Sequence, residues 1–224
     1  MRYLIFDAGP IISLTMAGLL PVLEKLKKIF PGEFIITPQV KIEVIDKPIK
    51  IKKYKLEAIQ VRNLLERGII KLSSDIIPDQ KLGSEVKKIL KIANGVLRTT
   101  KDKEKINIIH KGEASCLAFS NLCRQNSVIV IDERTTRILT ESPGNLEKLM
   151  ERKLHTPLEL ELSLLKDFKN FKFIRSTELI FLAYKKNLIS MKKDRNLLDA
   201  LLYGLKFKGA AISGKEIEEI KKLV

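Results

Sequence analysis

Short, wholly apolar runs alternate along the chain with stretches whose apolar residues recur every three or four positions. Residues 3–6 (Tyr-Leu-Ile-Phe) read as a buried strand, ended by the turn-like Asp7-Ala8-Gly9-Pro10. A helical pattern follows through Ile12, Met16, Leu19 and Leu20, and Pro21 opens a second helix through Leu23, Leu26 and Ile29. Residues 34–36 form a second strand, and Thr37-Pro38 starts a helix through Val40, Glu43 and Val44. Residues 47–53 read as a basic loop, 54–66 as a helix ending at Gly68, and 69–72 as a third strand. Ser84 is placed to cap a helix through Val86, Ile89, Leu90 and Ala93, and 98–105 is a charge run, read as a solvated loop or helix end. Gly112-Glu113 opens an amphipathic helix through Leu117, Ala118 and Leu122, followed by a fourth apolar strand, 128–131, ended by Asp132.

Residues 138–172 look like an insertion with helical patterns at 146–152 and 158–168, and 171–174 is the candidate last strand. Helices are expected over 178–186 and 197–207, and Ser213 with Glu216 forms a capping box that opens a final one. Strands alternating with helices predict an α/β fold, a parallel sheet wrapped on both faces.

Totals add one unusual fact. The 224 residues carry 42 Lys plus Arg against 27 Asp plus Glu, a formal charge of +15. That excess favours polyanions by counterion release, although a Lys-rich surface serving only solubility gives the same total. No apolar run is long enough to span a bilayer, and no leader pattern precedes the first strand, so a cytoplasmic protein is expected. Cys116 and Cys123, seven apart on one helix, are too far apart for a disulfide, and His110 and His155 have no zinc-ligand neighbours.

The chemistry concentrates at the carboxyl ends of strands, where parallel sheets hold their ligand crevice. Asp7 and Asp132 follow fully apolar strands, where an isolated charge is costly. Glu43 and Glu113 lie near helix starts that can aim them into the same mouth. Four carboxylates without His or Cys make a hard oxygen site, suited to Mg²⁺ or Mn²⁺ rather than zinc. Such a site supports metal-assisted hydrolysis of a phosphodiester. Each residue also has a plainer role: Asp7 as a helix cap, Glu113 as dipole complementation, Asp132 as a turn acid paired with Arg137. Arg134 and Arg137 either contact RNA phosphate or hold the acids in place. The absence of a Gly-x-Gly-x-x-Gly or Walker loop after the first strand argues against a nucleotide-binding enzyme.

The motifs also resemble a family. Asp7-Ala-Gly-Pro-Ile-Ile-Ser-Leu, Phe34-Ile-Ile-Thr-Pro-Gln-Val-Lys-Ile-Glu43-Val, Gly112-Glu113-Ala114 and Ile131-Asp132-Glu133-Arg134 are similar, in order, to the acidic motifs of PIN-domain proteins. Residues 174–224 resemble that family's closing segment. The resemblance implies a three-layer α/β/α sandwich with a central parallel sheet, read here as a single domain over 1–224; the chain departs from the small family members in extra, helical insertions at about 46–60, 73–108 and 138–172. It implies an endoribonuclease acting on single-stranded RNA, with Asp7, Glu43, Glu113 and Asp132 as metal-binding acids. It also implies partners such as a homodimer mate or an antitoxin-like protein, as in toxin–antitoxin pairs. The alternative is a catalytically silent PIN-like protein that binds RNA or scaffolds a complex.

Overall fold

The computed structural model describes residues 2–123, 126–165, 168 and 170–223. Its centre is a five-stranded parallel sheet built from β1 (Arg2–Phe6), β2 (Gly32–Ile36), β3 (Lys71–Leu72), β5 (Ser127–Val130) and β7 (Phe173–Ile174), in the order β3-β2-β1-β5-β7. Strands β4 (Leu97–Thr99) and β6 (Leu158–Leu160) pair antiparallel in a separate ribbon.

Burial on both faces explains the apolar composition of the central strands. In register, Ile5 lies beside Ile35 and Ile129, all three fully buried, and Phe6 meets Phe34 edge-on at 5.3 Å. The two edge strands are only two residues long, which leaves little open edge for another chain.

Helices cover both faces, giving the expected three-layer sandwich. α1 (Ala8–Met16), α2 (Leu20–Ile29), α4 (Lys55–Glu66) and α9 (Ser176–Lys185) pack against one another in one layer. In the other, α6 (Lys111–Leu122) lies against β1 and β5 and is flanked by α3 (Pro38–Lys41) and α5 (Asp79–Ala93). α7 (Arg134–Glu141) packs on α8 (Pro143–Leu154), while α10 (Arg195–Phe207) joins α9 to α11 (Gly214–Lys221). Among the described residues no single helix is long and apolar enough to cross a membrane; α1 and α2 have the composition together but meet at 118°.

Three local expectations are corrected. α5 begins at Asp79, not at Ser84, whose hydroxyl instead donates back to the Gln80 carbonyl at 3.0 Å from inside the helix. The charge run at 98–105 contributes β4 and a bridge between Arg98 and Lys105. The stretch expected as a helix at 158–168 gives β6 and a 3₁₀ turn (Leu162–Leu165), its residues 166 and 167 lying outside the described set. Periodicity failed in both because the two expected insertions pair with each other: Leu97 faces Leu160 and Thr99 faces Leu158. A tertiary partner then overrides local pattern. The basic loop at 47–53 is likewise a pair of 3₁₀ turns.

Asn94, at the end of α5, ties this region to the site helix. Its Oδ1 accepts from Ile108 N (2.7 Å) and Ile109 N (3.0 Å), and its Nδ2 donates to the Ile109 carbonyl at 3.1 Å. Asn94→Ala strands two backbone donors just before α6, with an expected loss of about 1–3 kcal/mol or more. Chemical denaturation with an unchanged midpoint would contradict this.

Candidate active site

The chain leaves β1 towards β2 and β3, then returns to build β5 and β7 on the opposite side, so connections diverge between β1 and β5. Crevices open at the carboxyl ends of strands at such a point. Asp7 stands at the end of β1, where its backbone N–H extends the ladder by donating to the Val130 carbonyl at 3.0 Å. Asp132 stands two residues beyond the end of β5. Both are buried, at 6% and 2% exposure, which makes their charges expensive unless something compensates.

Glu43 and Glu113 arrive from the α6 layer. Thr37 caps α3, and the helix widens at once into a π-turn (Ile42–Asp46), closed by Lys47 N donating to the Ile42 carbonyl at 3.0 Å. π-turns recur at functional sites because the extra residue re-aims side chains. Glu43 lies on that turn, and Gln39 Nε2 holds its Oε1 at 2.9 Å. Glu113 lies in the first turn of α6, where its Oε2 accepts from the His110 N–H at 2.9 Å. A second tie joins the layers: the Thr37 and Ser115 hydroxyls are 2.6 Å apart, and Ser115 Oγ is also 2.6 Å from the Gly112 carbonyl.

Two of the four acids, Glu43 and Asp7, close on Gly112, and the charge of Glu113, the next residue along α6, is felt at Asp7. A methyl group placed there would sit 3.0 Å from Glu43 Oε2, 3.3 Å from Glu43 Oε1 and 3.5 Å from Asp7 Oδ1. Only a residue without a side chain leaves that space to the carboxylates. Their mutual repulsion registers on Asp7: burial, then the charge of Glu113, with a smaller contribution from Glu43, push its carboxyl up to about 7 against the pull of the Ala8 and Gly9 N–H groups. Asp7 does cap α1, but its bond from Gly9 N is long at 3.4 Å, so capping compensates little. The buried Cys116 thiol is raised by burial and then by Asp7, Glu113 and Glu43, which keeps it neutral; its Sγ rests 3.7 Å from the Phe6 carbonyl.

Asp132 is placed differently. Both its oxygens are engaged by Ser176, Oδ1 from the backbone N–H and Oδ2 from the hydroxyl, each at 2.8 Å. Burial raises its carboxyl, and Ser176 and the charge of Arg137 oppose the rise. It flanks the same crevice: a methyl group on Gly9 would meet Asp7 Oδ2 at 3.7 Å and the Asp132 Cβ at 3.9 Å. Among the described residues, no three His, Cys, Asp or Glu side chains close a metal cage. The donor set nevertheless suits a hard cation. Mg²⁺ keeps several waters and commonly takes only one or two carboxylates. Burial and the neighbouring like charges together hold Asp7 half-protonated near neutrality, and the charge part of that strain is what a divalent cation would relieve.

Sequence reasoning named the four acids and missed their supports. Gln39 was legible, since a Gln four residues before a Glu on a helix faces it. Ser176, 44 residues beyond Asp132, and the Thr37–Ser115 contact, 78 residues apart, left no local signal. Comparison with protein families, curated proteins and solved structures finds no match to this chain.

Because the folded pKa of Asp7 lies above its unfolded value of about 3.9, the folded state binds the extra proton between roughly pH 4 and 7. In chelator, this contribution to stability is therefore full below about pH 4, declines as pH rises to about 7, and is flat beyond. Thermal unfolding followed across that range should show the decline in the native chain and its loss in Asp7→Asn. Identical pH profiles would contradict the crowding.

Proposed function

We propose that this chain is a divalent-metal-dependent nuclease of PIN type, hydrolysing phosphodiester bonds of single-stranded RNA. The observation that carries the reading is the approach of the Asp7 and Glu43 carboxylates at Gly112, with the charge of Glu113 acting on Asp7, at the switch point of the sheet in a chain of formal charge +15. An acidic hole within a basic chain repels a phosphodiester by itself and accepts one once a cation is present. The choice of RNA, and a homodimer mate or antitoxin-like partner, come from the motif resemblance alone.

In this reading Asp7 and Glu43 hold the cation and Glu113 completes or orients the site. A bound Mg²⁺ or Mn²⁺ would supply charge neutralisation on the phosphodiester and a water of lowered pKa. Gln39 fixes the Glu43 carboxylate. Asp132, its oxygens tied to Ser176, would serve as a positioning acid beside the cation. The open cage favours a second reading, a catalytically silent PIN-like protein that binds RNA or scaffolds a complex.

One assay separates the two: labelled single-stranded RNA incubated with Mn²⁺, comparing the native chain with Asp7→Asn. Cleavage by the native chain and a loss of about 100-fold or more in the variant is the expected result. Equal products from both assign cleavage to a contaminant and leave only binding.

Gly112→Ala is a sharper probe of geometry. The added methyl makes the flexible Glu43 carboxylate give by a few tenths of an ångström, so folding is retained while turnover falls roughly several-fold. Full activity in a folded Gly112→Ala chain would rule out the assigned role of Glu43.

A further inference from the structure

Beside the acids lies a cleft of about 870 Å³ between α7, α8 and the turn leading into α11. Arg134 and Arg137 from α7, three residues apart, and Lys148 and Arg152 from α8, four apart, give each helical wall two cations. Ile138, Leu149 and Ile212 contribute apolar surface. Among the described residues, none of the four cations takes part in an ion pair. Two carboxylates also line the cleft. Glu216 is already engaged, at 2.6 Å from Arg175 and 2.9 Å from the Ser213 N–H, which leaves Glu141 against four positive charges.

Two neighbouring arginines show the imbalance. Arg175 is almost fully buried and satisfied, its guanidinium donating to Glu178, Glu216 and the Ala211 carbonyl. Arg137 is half-buried, and among the described residues its Nε is shielded from solvent without a hydrogen-bond partner; burial and then the positive charge of Arg175 weigh against its charged form, opposed by Glu141, Glu178 and Glu216 at longer range. A buried guanidinium donor left unpaired is costly, and an anion is the group that pairs it bidentately. The cleft is also joined to the acids: Ala211, in its wall, donates its N–H to the Asp132 carbonyl at 3.2 Å.

We propose that this cleft seats successive backbone phosphates of a single-stranded nucleic acid, with Arg137 as the inner contact and Arg134, Lys148 and Arg152 along the walls. Four cations spread over two helices suit a chain of repeated charges better than one small anion. The proposal rests on the nuclease reading only for the direction the strand takes; α8, and with it Lys148 and Arg152, belongs to the expected insertion at 138–172.

The test is equilibrium binding of a labelled single-stranded oligoribonucleotide in chelator, where cleavage plays no part, over a series of salt concentrations. Arg137→Gln and the exposed pair Lys148→Gln/Arg152→Gln are compared with Lys28→Gln on α2, thermal unfolding serving as the check on folding. Each lost phosphate contact should make the plot of log affinity against log salt shallower by about 0.7, while Lys28→Gln leaves the slope as it was. Slopes unchanged in both folded cleft variants overturn the proposal without touching the nuclease reading, which stands or falls on Asp7→Asn. A parallel arm uses tripolyphosphate: if the variants lose it but keep the oligonucleotide, the cleft holds a small phosphate and the strand proposal fails.

Discussion

Repulsion among carboxylates at the end of a buried strand is the constraint around which the rest of the molecule is arranged. Two unit charges 4 Å apart interact by about 4 kcal/mol at an effective dielectric of 20, so crowding acids beside a core is an expense the fold must hold in place. It does so by rigid means. Asp7 is pinned by the β1–β5 ladder, Glu43 by Gln39 on a π-turn, and Glu113 by the His110 N–H. The Thr37–Ser115 contact and the bare Cα of Gly112 fix the spacing between the two strand-end segments. None of these devices neutralises the charge, and burial together with that repulsion holds Asp7 near neutrality in its titration.

The same separation of roles governs the cations. Arg175 is a structural residue, its charge absorbed by Glu178 and Glu216, and through Ala211 it braces the turn that touches Asp132. Arg137, in the same neighbourhood, forms no ion pair among the described residues, and its Nε has no hydrogen-bond partner there. The acids at the strand ends and the excess of cations on α7 and α8 thus meet through Asp132, whose carbonyl accepts from Ala211 in the cleft wall and whose carboxyl feels the charge of Arg137. A net charge of +15 says little by itself; its placement beside an acidic crevice says more.

Much of this was legible before coordinates, for a physical reason. Strands buried on both faces must be apolar throughout, so runs such as Leu4-Ile5-Phe6 and Val128-Ile129-Val130 announce themselves, and the acids that end them stand out. Capping chemistry is equally local, and Ser213 with Glu216 forms the expected box. What escaped depends on partners distant in sequence. Leu158 and Leu160 belong to a strand only because Thr99 and Leu97 lie opposite, and Asp132 is a clasp for α9 rather than a free carboxylate only because Ser176 arrives from beyond an insertion. Periodicity cannot report either, since both are settled by closure of the whole chain.

The ribbon of β4 and β6 carries a consequence for biogenesis. Residues 97–99 leave the ribosome well before 158–160, and at about 5–20 residues per second the wait lasts on the order of several seconds. During that interval an apolar strand edge at Leu97 has no mate, although β1, β2 and β3 are already synthesised and can begin to collapse. The bridge between Arg98 and Lys105 coexists with the pairing of Arg98 and Glu159 and so lies on the opposite edge of β4, which leaves the β6-facing edge open until residues 158–160 arrive. The charges clustered at 98–105 are of the kind that discourage such an edge from pairing with another chain in that interval.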